Sequence, residues 1–394
     1  MNFILNNEQR KVLGLESVQE NWTTINLKNQ MIVFLDNKTI VKVIEYSETE
    51  YTEYQLSEII DEDGLILPKT NKGKPKKLSY SSVQSCHKIG IYFKYETKAW
   101  VNYAMIGNHT TQKTFYSTNF EEINIDTFEK FSAWLHEWQK NFSEKDFFEL
   151  ETFKNETRHN IDIKEGDFFV FKVDKTNFGF GRVLLNIRKL KKDKNIIGHY
   201  GLLSLMGQPL AIKIYHKINP SKNINLSELK QKKSIPAQYI MDNRLFYGDY
   251  EVIGNQPLNP EELDFPIHYN NNIKDKKGEV FSYLQYGLLY LETNNPTFDT
   301  TFNISYRHYL DIDKESDFMK YHNSGIGFDL RLNKKILESC IEKNSNLPYW
   351  EDNRYYQEDD LRNPKNQKHL DLIFNFFELD SQKTYTQNKE KREK

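Results

Sequence analysis

Two apolar runs joined by a short turn constrain this chain more than any other feature. They are Gly166-Asp167-Phe168-Phe169-Val170-Phe171-Lys172-Val173 and, after Asn177, Phe178-Gly179-Phe180-Gly181-Arg182-Val183-Leu184-Leu185. Strands that are apolar at almost every position are those covered on both faces, so the pair predicts the centre of a packed sheet. Gly179 and Gly181 alternate and therefore share one face, which leaves a groove that a backbone or a bulky aromatic ring can approach. Curvature of the sheet and a ligand groove both account for such a pair. The run is no dinucleotide fingerprint, because the third glycine and the following helix are missing.

The rest of the composition agrees with packed sheets. Aromatic residues make up 14% of the 394 positions, carried by 26 Phe and 24 Tyr, while Gly (17) and Pro (11) are sparse. That length predicts two or three domains. Charges nearly cancel, 54 basic against 56 acidic, so no global field selects nucleic acid or a membrane. Cys86 and Cys340 match no metal-ligand spacing, and a disulfide framework is not expected. The first 15 residues lack the apolar run of a signal peptide, and no stretch reaches the roughly 18 to 20 apolar residues of a membrane span. The expectation is a cytoplasmic protein.

Along the chain, Thr23 to Ile44 reads as short strands with a turn at Asp36-Asn37, Ile91 to Tyr95 and Ala99 to Ile106 as a hairpin, and Thr110 to Tyr116 as a further strand. At Asp126 the period changes. Asp126 with Glu129 reads as a capping box for a helix to about Lys140, with Phe128, Phe131, Leu135 and Trp138 on one face. Ser143, followed by Glu144 and Asp146, opens a second helix with Phe147, Leu150 and Phe153 as its buried stripe. Strands then dominate to about Asn295, Leu226 and Leu229 anchor a short helix, Ile336 to Ile341 and Leu370 to Leu379 read as helical, and the tail from Gln382 is expected to be disordered. The fold class is therefore α+β and β-rich: an N-terminal sheet plus two helices, then a curved antiparallel sheet or partly open barrel with a C-terminal helical segment. The expected domains are 1–160, 161–350 and 351–394.

No sequence motif supports catalysis, since a nucleophile elbow, a P-loop and a His-Glu-x-x-His helix are all missing; no catalytic residue and no cofactor are assigned. His199 and His216 read as ordinary strand-end histidines. His308, Asp311 and Asp313 alternate along one strand and are the alternative metal ligands, against the simpler reading of a solvated edge. Two basic clusters, Lys69, Lys72, Lys74, Lys76 and Lys77 in a loop and Arg188, Lys189, Lys191 and Lys192 further on, are the alternative nucleic-acid contacts, against that of solvated loops. Glu144 to Asp167 collects eight acidic residues against four basic ones, a local negative surface suited to steering a basic partner.

One family resemblance emerges from ordered short blocks. Gly166 to Phe169, Phe180 to Leu184, Leu205-Met206-Gly207-Gln208-Pro209-Leu210, Lys213-Ile214-Tyr215-His216, Met241-Asp242-Asn243, Tyr247 to Asn255, Asp264-Phe265-Pro266-Ile267 and Tyr283-Leu284-Gln285-Tyr286-Gly287 resemble the immunity protein 26 family of bacterial polymorphic-toxin systems. The N-terminal half is similar to long members through Asn7-Glu8-Gln9-Arg10, Leu67-Pro68-Lys69-Thr70, Gly73 to Leu78 and Thr110 to Tyr116. The resemblance implies a cytoplasmic protein that binds a cognate toxin and blocks it. It transfers no catalytic set. A joint label of phosphotriesterase among relatives implies the alternative of a phosphoester hydrolase, but a binuclear site needs several converging His and Asp ligands, and the ten histidines include no His-x-His pair. Aromatic anchors with a charged rim are the usual make-up of tight interfaces, which singles out Tyr247, Asp249, Tyr250, Tyr283 and Tyr286 as the expected partner-binding residues.

Overall fold

The structure, a computed structural model, describes residues 4–393 except 29, 71, 99–100, 122, 188–201, 203–207, 274–279, 294–331 and 353–359. Two compact units emerge. One comprises Met1–Ile161 with Tyr247–Asp249, the other Asp162–Phe246 with Tyr250–Lys394.

The first unit opens with α1 (Asn7–Val12) and continues as strands β1 (Thr23–Leu27), β2 (Met31–Asp36), β3 (Thr39–Tyr46), β4 (Glu50–Ile59), β5 (Leu65–Ile66) and β6 (Lys76–Lys77). Then come α2 (Tyr80–Gln84), β7 (Ile89–Lys98), β8 (Val101–Asn108), β9 (Lys113–Ser117), α3 (Phe128–Lys140) and α4 (Glu144–Lys154). Seven of these strands form one antiparallel sheet in the order β1-β2-β3-β4-β7-β8-β9. Asn37, at φ 54°, makes the left-handed turn between β2 and β3, a conformation that asparagine tolerates better than most residues. One sheet face, with Phe93, Tyr95 and Ile106, packs under α3 and α4, where the Tyr95 and Phe131 rings stack at 4.1 Å. Trp138 ties α3 to α1 by donating from Nε1 to the Val12 carbonyl at 3.0 Å. The other face, with Val33, Val43 and Tyr54, packs with Ile66 and Val83.

Helix capping corrects one expectation. The cap of α3 is Thr127, whose hydroxyl accepts from the Lys130 N–H, whereas Asp126 lies one residue outside and pairs with the Lys130 ammonium at 2.8 Å. A threonine already beside the first turn satisfies the free N–H, so Asp126 is left to serve the dipole from outside. On α4 the Ser143 and Asp146 capping box forms, and Leu150 and Phe153 are buried.

In the second unit, β10 (Asp167–Lys172), β11 (Phe178–Asn186), β12 (Pro209–Asn219), α5 (Leu226–Lys230), β13 (Gln238–Met241), α6 (Asn243–Phe246) and β14 (Glu251–Asn255) build a five-stranded antiparallel sheet in the order β13-β12-β11-β10-β14. A second, three-stranded sheet comes next, β15 (Ile267–Ile273), β16 (Val280–Tyr286) and β17 (Leu289–Thr293), with helices α7 (Lys334–Glu342), α8 (Leu347–Trp350), α9 (Gln367–Phe376) and α10 (Tyr385–Glu393). Among the described residues none of the sheets closes into a barrel; the fold is α+β and β-rich. The two apolar runs are adjacent central strands, and Phe168, Phe169, Phe180 and Val183 are fully buried.

The groove left by Gly179 and Gly181 is filled by the protein's own rings: a Cβ on Gly181 would sit 2.3 Å from Phe169 Cζ and one on Gly179 2.6 Å from Phe171 Cζ. The tail is ordered, contrary to expectation, because Tyr385 is buried edge-on against Phe265 (4.8 Å) and Tyr286 (5.2 Å), while Asn388 bonds Asp380 and the Lys383 and Thr384 carbonyls. One buried aromatic and one fully used amide anchor a helix whose remaining composition is that of a solvated segment.

Candidate functional site

The second unit is organised around a buried carboxylate. Arg182, the single charge of β11, and Lys213, a buried charge in the apolar part of β12, both reach Glu262 in the Pro260–Glu262 turn, Arg182 Nη1 at 2.5 Å and Lys213 Nζ at 3.1 Å. Arg182 Nη2 also donates to the carbonyls of Gln256 (2.6 Å) and Pro257 (2.9 Å), so the loop from Gln256 to Glu262 is fastened to the middle of the sheet. The guanidinium lies over the Phe168 ring at 4.3 Å. Burial lowers the Lys213 pKa although Glu262 opposes it. Burial resists ionisation of Glu262, but the Asn259 N–H and Lys213 outweigh it and hold the carboxyl below its ordinary value. Desolvation pushes Tyr215, beside this cluster, up to about 12. Sequence reading passes over this network; its signal is a charge embedded in the apolar part of each strand.

The expected contact residues divide. Tyr250, Tyr283 and Tyr286 are 8%, 2% and 8% exposed. Tyr250 stacks on Phe169 at 5.5 Å, Tyr283 on Tyr290 at 5.7 Å, and Tyr286 meets Phe374 and Tyr385. These three side chains belong to the packing of the second unit. Tyr247 and Asp249 are half-buried and group with the first unit. There Arg158 lies over the Tyr247 ring at 4.6 Å and Asp249 Oδ1 accepts from the Thr114 N–H at 2.7 Å.

In the basic loop, Lys69 pairs with the buried Glu58 at 2.8 Å and Lys76 donates to Ser85 Oγ at 3.1 Å, while Lys72, Lys74 and Lys77 are exposed. Arg188, Lys189, Lys191, Lys192, His199, His308, Asp311 and Asp313 lie outside the described residues. His216 bonds Asn346 Oδ1 through Nε2 at 2.9 Å, and burial lowers its pKa. Among the described residues, no group of three or more His, Cys, Asp or Glu is placed to hold a metal ion. A cleft of about 430 Å³ lies between Ser221–Ile224 and Glu251–Ile253, at β14, an edge strand of the sheet among the described residues.

Residues 164–278 match the family model of Immunity protein 26. That segment of the chain is similar to the immunity protein 26 family. The matched segment covers all five strands of the sheet built on the two apolar runs, together with the Arg182, Lys213 and Glu262 network and strand β15. The immunity protein 26 family implies a toxin as partner. No curated protein and no solved structure matches the chain. Among the described residues no helix is long and apolar enough to cross a membrane.

Proposed function

We propose that this chain is a bacterial immunity protein of a polymorphic-toxin system, which binds its cognate toxin in the cytoplasm and neutralises it by covering the active-site cleft. The observation that carries the reading is the immunity protein 26 match over residues 164–278. Two features support occlusion over chemistry: the shifted pKa values of the Lys213 and Glu262 cluster arise from ion pairing and burial within the fold, and the matched sheet is a rigid platform pinned by buried charges. Cys86 and Cys340 are free thiols, as suits a reducing compartment. Within the expected contact set, Tyr247 and Asp249, half-buried in the first unit, are the members that meet the toxin directly, whereas Tyr250, Tyr283 and Tyr286 are packed within the second unit.

The test is co-expression with the product of the adjacent gene and with secreted toxins of the same cell. The expected result is rescue of growth and a stoichiometric complex on size exclusion. Neither rescue nor complex, with both proteins soluble, overturns the reading.

A further inference from the structure

Helix α4 turns Leu150 and Phe153 into the core of the first unit and caps itself with Ser143 and Asp146. Its opposite face carries Glu144, Lys145, Phe148, Glu151 and Thr152, all exposed. Phe148 is 76% exposed, the most exposed large hydrophobic among the described residues. It contributes nothing to the core, and it stands where an amphipathic helix places a polar residue. The helix holds four acidic residues (Glu144, Asp146, Glu149, Glu151) against two basic ones (Lys145, Lys154). Phe148 is flanked on this face by Glu144 and Glu151, with Lys145 beside them and Glu151 paired with Lys154 at 3.0 Å; an exposed aromatic within a charged rim of net negative sign is the composition of an interface anchor. Beyond α4 the chain leads through Glu156, paired with Lys113 at 2.7 Å, to Arg158 against the ring of Tyr247, one of the proposed contact residues.

We propose that the outer face of α4 is a docking surface for a basic protein, Phe148 entering an apolar pocket of the partner and Glu144 and Glu151 meeting its cationic rim. Resting on the immunity reading, that partner is the toxin, and helix α4, which lies outside the matched segment 164–278, supplies part of the grip.

The test measures binding to the full chain of a catalytically inactive form of the toxin that the chain neutralises, with Phe148→Ala, the pair Glu144→Lys and Glu151→Lys, and Leu372→Ala as a control. Leu372 is 66% exposed on α9. Phe148→Ala is expected to weaken binding roughly 10- to 100-fold through faster dissociation, the loss due to one buried phenyl ring. The charge reversals are expected to slow association about 10-fold at low salt, with the gap closing near 0.5 M salt. Leu372→Ala binds as wild type. If wild type binds and both α4 variants match it, this docking surface is overturned and the immunity reading stands. Charge reversals without effect beside a weakened Phe148→Ala overturn the basic partner. A wild-type chain that binds no toxin overturns both.

Discussion

Each unit buries one carboxylate between an arginine and a lysine, and the two arrangements serve different ends. Glu53 in β4 takes Arg10 Nε at 2.9 and 3.1 Å, the Lys42 ammonium from neighbouring β3, and the Tyr51 hydroxyl at 2.6 Å; it is fully buried. Every partner except Arg10 sits in the same or the adjacent strand, so register alone assembles the cluster. Glu262 instead belongs to a turn about 80 residues downstream of Arg182, keeps 9% of its surface exposed, and has Lys230 at 3.5 Å on its outer side. The first cluster is part of the core; the second is a clasp that holds a loop. Sheet-borne charges thus fix a fold, and loop-borne ones fix the position of the adjoining segment, here Asp264 and Phe265.

The comparison breaks most sharply at Glu53→Ala. Removing this carboxylate leaves Arg10 and Lys42 buried and unpaired, a loss of about 3–5 kcal/mol, enough to unfold the first unit alone. Calorimetry should show an early transition for that unit with the second little changed. A single late transition would mean that the cations find solvent without unfolding. For Glu262→Ala the expected loss is smaller, about 2–3 kcal/mol, because the turn relaxes outward and hydrates the cations. Hydrogen exchange should then rise in residues 256–262 before it rises in β11.

Much of this architecture is legible in the sequence, and the exceptions share a cause. The apolar runs at Phe168 and Phe180, the stripe of Phe131, Leu135 and Trp138, and the Ser143 cap follow from local periodicity and capping chemistry. Glu262 reaching Arg182 does not, since pairing across 80 residues leaves only a charge in an apolar strand as its trace. The tail departs from expectation because disorder is inferred from average composition, whereas Tyr385 and Asn388 act singly. The glycine pair is legible as a place of close approach, but not that Phe169 and Phe171 of the neighbouring strand fill it. The outward aromatic on α4 is hidden when Phe147 is counted in the buried stripe without asking where Phe148 must then point.

Acid titration acts on both units, through His109 in the first and His216 and His268 in the second, each with its pKa lowered by burial. His109 of the first unit stacks on Tyr92 at 4.1 Å, and burial, reinforced by Lys88 and His87, pulls its pKa down from 6.5 to about 4. Between those values the unfolded chain binds the proton and the folded one does not, so stability falls as pH drops from about 6.5 to 4. Partial exposure of the ring limits the expected loss to about 2 kcal/mol. His109→Phe keeps a stacking ring and should flatten that slope in the first unit only, as measured by urea unfolding at pH 7 and 4.5. An unchanged slope would place the proton elsewhere.

The smallest effect tests whether the second cluster is a clasp with a solvated outer side. Lys230 lies 3.5 Å from Glu262 and donates to the Pro257 carbonyl at 3.0 Å and to Asn259 Oδ1 at 3.2 Å, with 15% of its side chain exposed. Arg182 and Lys213 already neutralise the carboxylate, so Lys230→Met leaves no buried charge unpaired and removes contacts that water can replace. The expected cost is about 0.5–1 kcal/mol. Leu229 on the same helix α5 is 1% exposed and packs with Phe168 and Tyr215, so the helix itself stays in place. A loss near that of Glu262→Ala would make Lys230 an equal member of the buried network, and the contrast with Glu53 would then lie in loop placement alone.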